Sequence, residues 1–93
     1  MGAEIIAEES RRNMRRTELH AKCGSWWTVL TYKRRRETVY ETVIDKERRA
    51  RDGLQVKDRQ RVAVREASTW ERAMVLHDSA VGAIQRDGKM APQ

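Results

Sequence analysis

Residues 56–84, VKDRQRVAVREASTWERAMVLHDSAVGAI, carry the pattern on which the predicted fold rests. Nine positions, spaced alternately by four and three residues, hold mostly apolar side chains. This spacing is typical of a helix with a coiled-coil-like apolar seam about four heptads long. Another helix, from this chain or from a partner, has to cover such a seam. The nine positions are Val56, Gln60, Ala63, Ala67, Trp70, Met74, His77, Val81 and Ile84.

The pattern therefore predicts a helix over residues 55–87, and weaker apolar spacing predicts two more over 3–23 and 26–52. Three glycines follow charged or polar stretches, at the places where a left-handed residue would cap a helix. We predict an all-α protein, either a small bundle or an extended arrangement of about three helices. The three glycines are Gly24, Gly53 and Gly88.

Two stretches allow a different interpretation. Residues 68–71, Ser-Thr-Trp-Glu, match a capping box, so a helix start near Ser68 is an alternative that keeps 69–87 helical. Residues 26–32 and 38–44 are rich in β-branched and aromatic side chains, which favour strands. A β-hairpin over 26–44 is therefore the alternative for the middle segment.

Charge is segregated along the chain. Residues 1–10 carry a net charge of −3, residues 11–65 carry +10 and residues 66–93 carry −1, which sum to the overall +6. The chain is short enough to form one domain at most. We divide the single small domain 1–93 into an acidic N-terminal segment 1–10, a basic segment 11–65, a partner-docking amphipathic helix 66–87 and a disordered tail 88–93.

Large aliphatic side chains are scarce: Leu, Ile and Val number 16 of 93 residues, and Phe is absent. Burying so little apolar surface offsets only a small part of the conformational entropy that the chain loses on folding. We expect the isolated chain to be partly unfolded or to self-associate, and to be held in place by other protein subunits. The predicted docking residues lie on the apolar seam: Ala67, Trp70, Met74, His77, Val81 and Ile84.

Three basic clusters, at residues 11–16, 33–36 and 46–51, predict contact with a polyanion, because arginine and lysine neutralise phosphates and release counterions. The other interpretation is that they form solvated helix faces paired with nearby carboxylates. Trp26, Trp27 and Tyr32 adjoin the second cluster, and we favour a place in the core for them over stacking on bases. The predicted nucleic-acid-binding residues are Arg11, Arg12, Arg15, Arg16, Lys33, Arg34, Arg35, Arg36, Arg48, Arg49 and Arg51.

The sequence offers no pattern for catalysis or for a cofactor. Cys23, His20 and His77 are too few for a structural zinc site, and phosphate-binding glycine motifs are absent. We therefore expect no enzymatic activity, no metal and no cofactor. A single cysteine favours a reducing, intracellular compartment, and the apolar runs are too short for a transmembrane span.

The leading hypothesis is a non-enzymatic small subunit of a larger assembly. Its C-terminal helix would dock on partner helices, and its Arg-rich middle segment would contact nucleic acid. The alternative is a purely protein–protein structural subunit or adaptor of a large complex of respiratory or virion type, with no nucleic-acid contact. Its arginines would then meet an acidic protein surface or anionic lipid.

Overall fold

The computed structural model describes residues 2–91, which form one antiparallel sheet and one helix. The strands follow the order β1-β2-β3-β4-β5, so each strand pairs with the next along the chain. The helix, α1, lies against one face of this sheet. The elements are β1 Ala3–Arg11, β2 Met14–Ala21, β3 Trp26–Lys33, β4 Tyr40–Arg49, β5 Val56–Ala67 and α1 Trp70–Asp87.

The all-α prediction is wrong. The predicted helix 3–23 is the hairpin of β1 and β2, and the predicted helix 26–52 contains β3 and β4, which pair as in the hairpin alternative for 26–44. The predicted helix 55–87 divides into β5 and α1. The expected coiled-coil-like seam is therefore not a helix–helix contact.

Alternation of side chains explains why these segments are strands. In β2, Thr17, Leu19 and Ala21 are fully buried, and the residues between them are partly exposed. This period of two places one set of side chains under the helix and the other set on the opposite face. The buried cluster consists of Leu19, Ala21, Trp27, Val29, Ile44, Val62, Ala63, Ala80, Val81 and Ile84.

Helix α1 begins and ends with regular caps. The Thr69 hydroxyl accepts a hydrogen bond from the amide of Arg72 at 3.1 Å. Gly88 closes the helix at φ 71°, and its N–H donates to the carbonyl of Ile84 at 2.7 Å. The start near Ser68 that the capping-box interpretation allowed therefore agrees with the structure to within two residues.

The sheet covers the apolar seam of α1. His77, Val81 and Ile84, which were predicted to dock on a partner, are buried against the sheet of the same chain. Trp70 packs edge-to-face on Tyr40 with ring centroids 5.6 Å apart. The other two predicted docking residues also contact elements of this chain: Met74 lies beside Arg15 and Ala67 ends β5.

The face of the sheet turned away from α1, which we call the open face, carries carboxylates and arginines around an apolar row of Leu30, Val43 and Val64. No second layer among residues 2–91 covers it. An antiparallel sheet with one solvated face needs apolar residues mainly on its other face. This arrangement explains how a chain with so few aliphatic residues builds a core.

The C-terminal tail was predicted to be disordered from residue 88 onward. Gly88 caps α1, and Met90 packs against the buried cluster. Residues 92 and 93 lie outside the described part of the chain.

Candidate nucleic-acid interface

The sheet topology brings two of the three basic clusters to one end of the molecule. The β1–β2 and β3–β4 turns lie at the same end because the strands alternate in direction. The amide of Lys33 donates to the carbonyl of Asn13 at 3.0 Å and joins the two turns. We call this surface the basic end and define it by Arg12, Lys33, Arg35 and Arg36.

Both turns contain a non-glycine residue with left-handed backbone. Asn13 has φ 62° in the short β1–β2 turn, a conformation that asparagine tolerates well. Arg36 has φ 64° in the longer β3–β4 turn, where the usual choice would be glycine. The amide of Arg34 closes this turn by donating to the carbonyl of Val39 at 2.9 Å.

The four side chains of the basic end are exposed. Within residues 2–91, none of them has a carboxylate oxygen within 4.0 Å, so their charges are not neutralised by the protein itself. This availability distinguishes them from most of the other predicted binding residues. It is the property that a phosphate-binding surface requires.

Besides Arg34, four predicted binding residues are held in ion pairs of the folded chain. Arg11 pairs with the neighbouring Glu9 at 3.0 Å. Arg15 lies 2.7 Å from both Glu8 and Asp78 and so ties β1, β2 and α1 together. The remaining two pairs involve Glu18, which lies 3.3 Å from Arg16 and 2.6 Å from Arg49.

Arg34 adjoins the basic end but has a structural role. Its guanidinium contacts Glu41 on β4, Glu66 on β5 at 2.7 Å and Glu37 in the turn at 3.4 Å. Hydrogen bonds from Tyr32 and Arg34 lower the pKa of Glu41 below its usual value. The carboxylates on β4, β5 and the turn therefore fix Arg34, and it is not available to a ligand.

The third basic cluster lies at the opposite end of the sheet. Arg48 and Arg51 are exposed near the β4–β5 turn, about 30 Å from the basic end for strands of this length. The Arg49 side chain is only 7% exposed and contacts Glu47 at 2.7 Å. Burial acts to raise the pKa of Glu47, but the hydrogen bond and charge of Arg49, with the charge of Arg59, lower it overall.

The aromatic residues next to the basic clusters pack within the fold. Trp27 is 2% exposed and belongs to the core. Trp26 stacks on His20 at 3.8 Å, with the Arg49 guanidinium 4.8 Å from its ring. Tyr32 donates to Glu41 at 2.7 Å.

The sequence did not reveal a polar network in the core. His77 Nε2 lies 2.8 Å from Thr17 Oγ1, and Nδ1 lies 2.9 Å from Thr31 Oγ1. Thr17 also donates to Glu8 at 3.2 Å, and Thr31 contacts Thr42 at 2.7 Å. With the Thr17 proton used by Glu8, the ring donates from Nε2. Burial lowers the pKa of His77, so the ring is neutral and its Nδ1 accepts from the Thr31 hydroxyl. The alternation of Thr17, Leu19 and Ala21 is the one sequence signal that places Thr17 on a buried face.

Between residues 2 and 91, no group of three or more histidine, cysteine, aspartate and glutamate side chains is arranged to hold a metal ion. No helix in the same range is long and apolar enough to cross a membrane.

Comparison with known family models, with curated proteins and with solved structures found no match to this chain.

Proposed function

We propose that this protein is a non-enzymatic nucleic-acid-binding subunit whose basic end contacts the phosphate backbone. The observation that carries the proposal is the grouping of Arg12, Lys33, Arg35 and Arg36 on two adjoining turns without carboxylate partners within residues 2–91. Cations that the fold leaves unneutralised gain affinity when they displace counterions from phosphates.

The surface supports contact with the backbone rather than with the base edges. Its side chains extend from two turns at the end of the sheet, and none of them lies on the face of a helix that could be laid in a groove. Trp27 and Trp26, the candidates for stacking on bases, pack in the core and at the opposite end of the sheet. Binding should therefore be insensitive to sequence and strongly dependent on salt.

The backbone of Arg36 gives a second reason to favour this surface. A left-handed conformation costs a non-glycine residue roughly 1–2 kcal/mol. Residues in such conformations cluster at functional positions, where the surrounding structure holds them in place. An arginine at this place in the turn fits a role that requires its charge.

The proposal is tested by fluorescence anisotropy with labelled single-stranded and duplex DNA of two unrelated sequences. The test variant replaces Arg12, Arg35 and Arg36 with Gln. We expect similar affinities for the two sequences. The magnitude of the slope of log affinity against log salt should be smaller in the variant by roughly 2.1–2.7, about 0.7–0.9 for each phosphate that the protein no longer neutralises.

The matched control replaces Lys22, Arg48 and Arg51 with Gln, which removes the same charge from the opposite end of the sheet. It should bind almost as well as the unmodified protein. Equal decreases in affinity in both variants would mean that net charge, and not the basic end, determines binding. A protein that binds neither DNA nor RNA at about 50 mM salt would exclude the proposal in favour of an acidic protein partner.

A further inference from the structure

Both edges of the sheet are open within the described part of the chain. Strand β1 pairs with β2 on one side, and β5 pairs with β4 on one side, so each presents a row of unpaired backbone groups. Ile5 and Ile6 on β1 and Val64 on β5 are exposed at 42%, 45% and 44%. Long, partly apolar edges of this kind are templates for pairing with another chain.

The two edges carry opposite charge. Strand β1 contains three glutamates and one arginine, for a net charge of −2. Strand β5 contains one lysine, three arginines, one aspartate and one glutamate, for a net charge of +2. Each edge therefore complements the other and repels its own kind.

We propose that β1 of one copy of this protein pairs antiparallel with β5 of another copy. One register places oppositely charged or apolar residues opposite each other at six of the nine positions of β1. Four of these pairs are Glu4 with Arg65, Ile5 with Val64, Glu8 with Arg61, and Arg11 with Asp58. Cross-strand pairs of these types stabilise a sheet, and like charges directly opposite destabilise it.

The directions of the side chains agree with this register. Ile5 and Glu8 point to the helix side of β1, because they lie opposite the buried Leu19 and Thr17. Arg61 and Val64 point to the open face of β5, because they lie opposite Asp45 and Val43. The pairs therefore share a face when the second copy is turned over, so that helices alternate between the two sides of the extended sheet.

Pairing of like edges is disfavoured by the same charges. An antiparallel pair of β1 strands centred on Ile6 would place Glu4 of each copy opposite Glu8 of the other. The β1–β5 contact is instead heterologous, because different surfaces meet. Such contacts generate rings or open chains of subunits rather than closed two-fold dimers.

The proposal is tested by sedimentation velocity at concentrations up to about 100 µM, where micromolar association is detected. One variant carries Glu4→Lys and Glu9→Lys on β1, and the other carries Gln60→Glu and Arg65→Glu on β5. The β1 variant places its lysines opposite Arg65 and Gln60 of a neighbouring copy. The β5 variant places its glutamates opposite Glu4 and Glu9 of a neighbouring copy. Each variant alone should stay monomeric, whereas the unmodified protein should exceed the mass of a dimer.

An equimolar mixture of the two variants provides the internal control for folding. Mixing restores opposite charges at every contact, because the basic β1 meets the acidic β5 and the unmodified edges meet each other. Association should return to the level of the unmodified protein and weaken as salt is raised. An unmodified protein that remains monomeric, or a mixture that does not associate, would overturn the proposal. Self-association of the β1 variant alone would indicate β1–β1 pairing and would overturn it too.

Discussion

The imidazole of His77 occupies the centre of the contact between α1 and the sheet. Its relative exposure is 0%, and both ring nitrogens are bonded to threonine hydroxyls. Burial lowers the pKa of His77 to about 4, and the nearby positive charge of Arg15 acts in the same direction. The carboxylates of Asp78 and Glu8 oppose this shift without reversing it. The fold therefore contains a buried residue that is stable in its neutral form.

This burial predicts that the protein loses stability on mild acidification. The unfolded chain takes up a proton on His77 near pH 6.5, whereas the folded chain does so only near pH 4. The free energy of unfolding should consequently fall as the pH drops through this window, by about 3 kcal/mol in total and about 2 kcal/mol between pH 7 and pH 5. Denaturant unfolding at several pH values measures the loss.

A His77→Gln variant is the control, because glutamine keeps a donor and an acceptor but does not titrate. Its stability should be nearly constant between pH 7 and pH 5, where the carboxylates remain ionised. If both proteins lost stability equally over this range, another group would be responsible.

At the scale of elements, the β3–β4 turn contains three consecutive arginines with different surroundings. One is bound by carboxylates of the protein, and, within residues 2–91, the other two are free to bind a ligand. Arg34 is bound by carboxylates on β4, β5 and the turn itself. Arg35 and Arg36 extend from the turn and form no ion pair among residues 2–91. Neighbouring identical residues thus have different expected roles.

We predict that substitutions in this turn divide into two classes. Arg34→Gln should lower the thermal midpoint, because Glu41 and Glu66 would lose their shared cation, and should leave the salt dependence of nucleic-acid binding unchanged. Arg35→Gln with Arg36→Gln should leave the midpoint nearly unchanged and lower the salt slope by roughly 1.4–1.8, as for two phosphates. Thermal melts and anisotropy titrations of both variants distinguish these outcomes. A slope change in Arg34→Gln as large as in the double variant would contradict the assignment.

The elements also differ in how far the sequence predicts them. Helix α1 is recognisable because its cap, apolar spacing and terminal Gly88 are all local signals. The pairing of β1 with β2 is not, because Ile5 and Ile6 lie on an exposed edge and leave no clear alternation. In β5, Ala63 and Ala67 satisfy a helical spacing by chance, and cross-strand contacts with β4 determine the conformation.

The same limit applies to the candidate site. Composition was enough to identify the basic clusters, but the clusters contain both neutralised and available arginines. The carboxylate partners of Arg34 and Arg49 include Glu66 and Glu18 on distant strands, 32 and 31 residues away along the chain. Ion pairs at such separations follow from sheet register, which residue spacing does not predict. The fold was therefore needed to select the basic end.

For the whole molecule, the strand order β1-β2-β3-β4-β5 predicts that local stability decreases from the centre of the sheet to its edges. Strand β3 is flanked by β2 and β4 and covered by α1, whereas β1 and residues 56–61 of β5 are exposed. Hydrogen exchange in dilute solution should be slowest at the amides of β3 and fastest at the amides of β1 and of 56–61 that face away from their paired strand.

The measurement also separates the monomer from an associated state. Protection of β1 and β5 should increase with protein concentration if copies pair through these edges, while protection of β3 should stay the same. Equal protection of β1 and β3 in dilute solution would contradict the gradient.

The three tryptophans give the molecule a set of intrinsic fluorescent probes. Trp27 is enclosed in the core, Trp26 lies between His20 and Arg49 at one end of the sheet, and Trp70 packs on Tyr40 at the other. Variants that retain a single indole would each report on a different region. Emission from Trp70 would follow events at the basic end, and emission from Trp26 would follow the β4–β5 turn. Binding and local opening could thus be observed separately without attaching a dye.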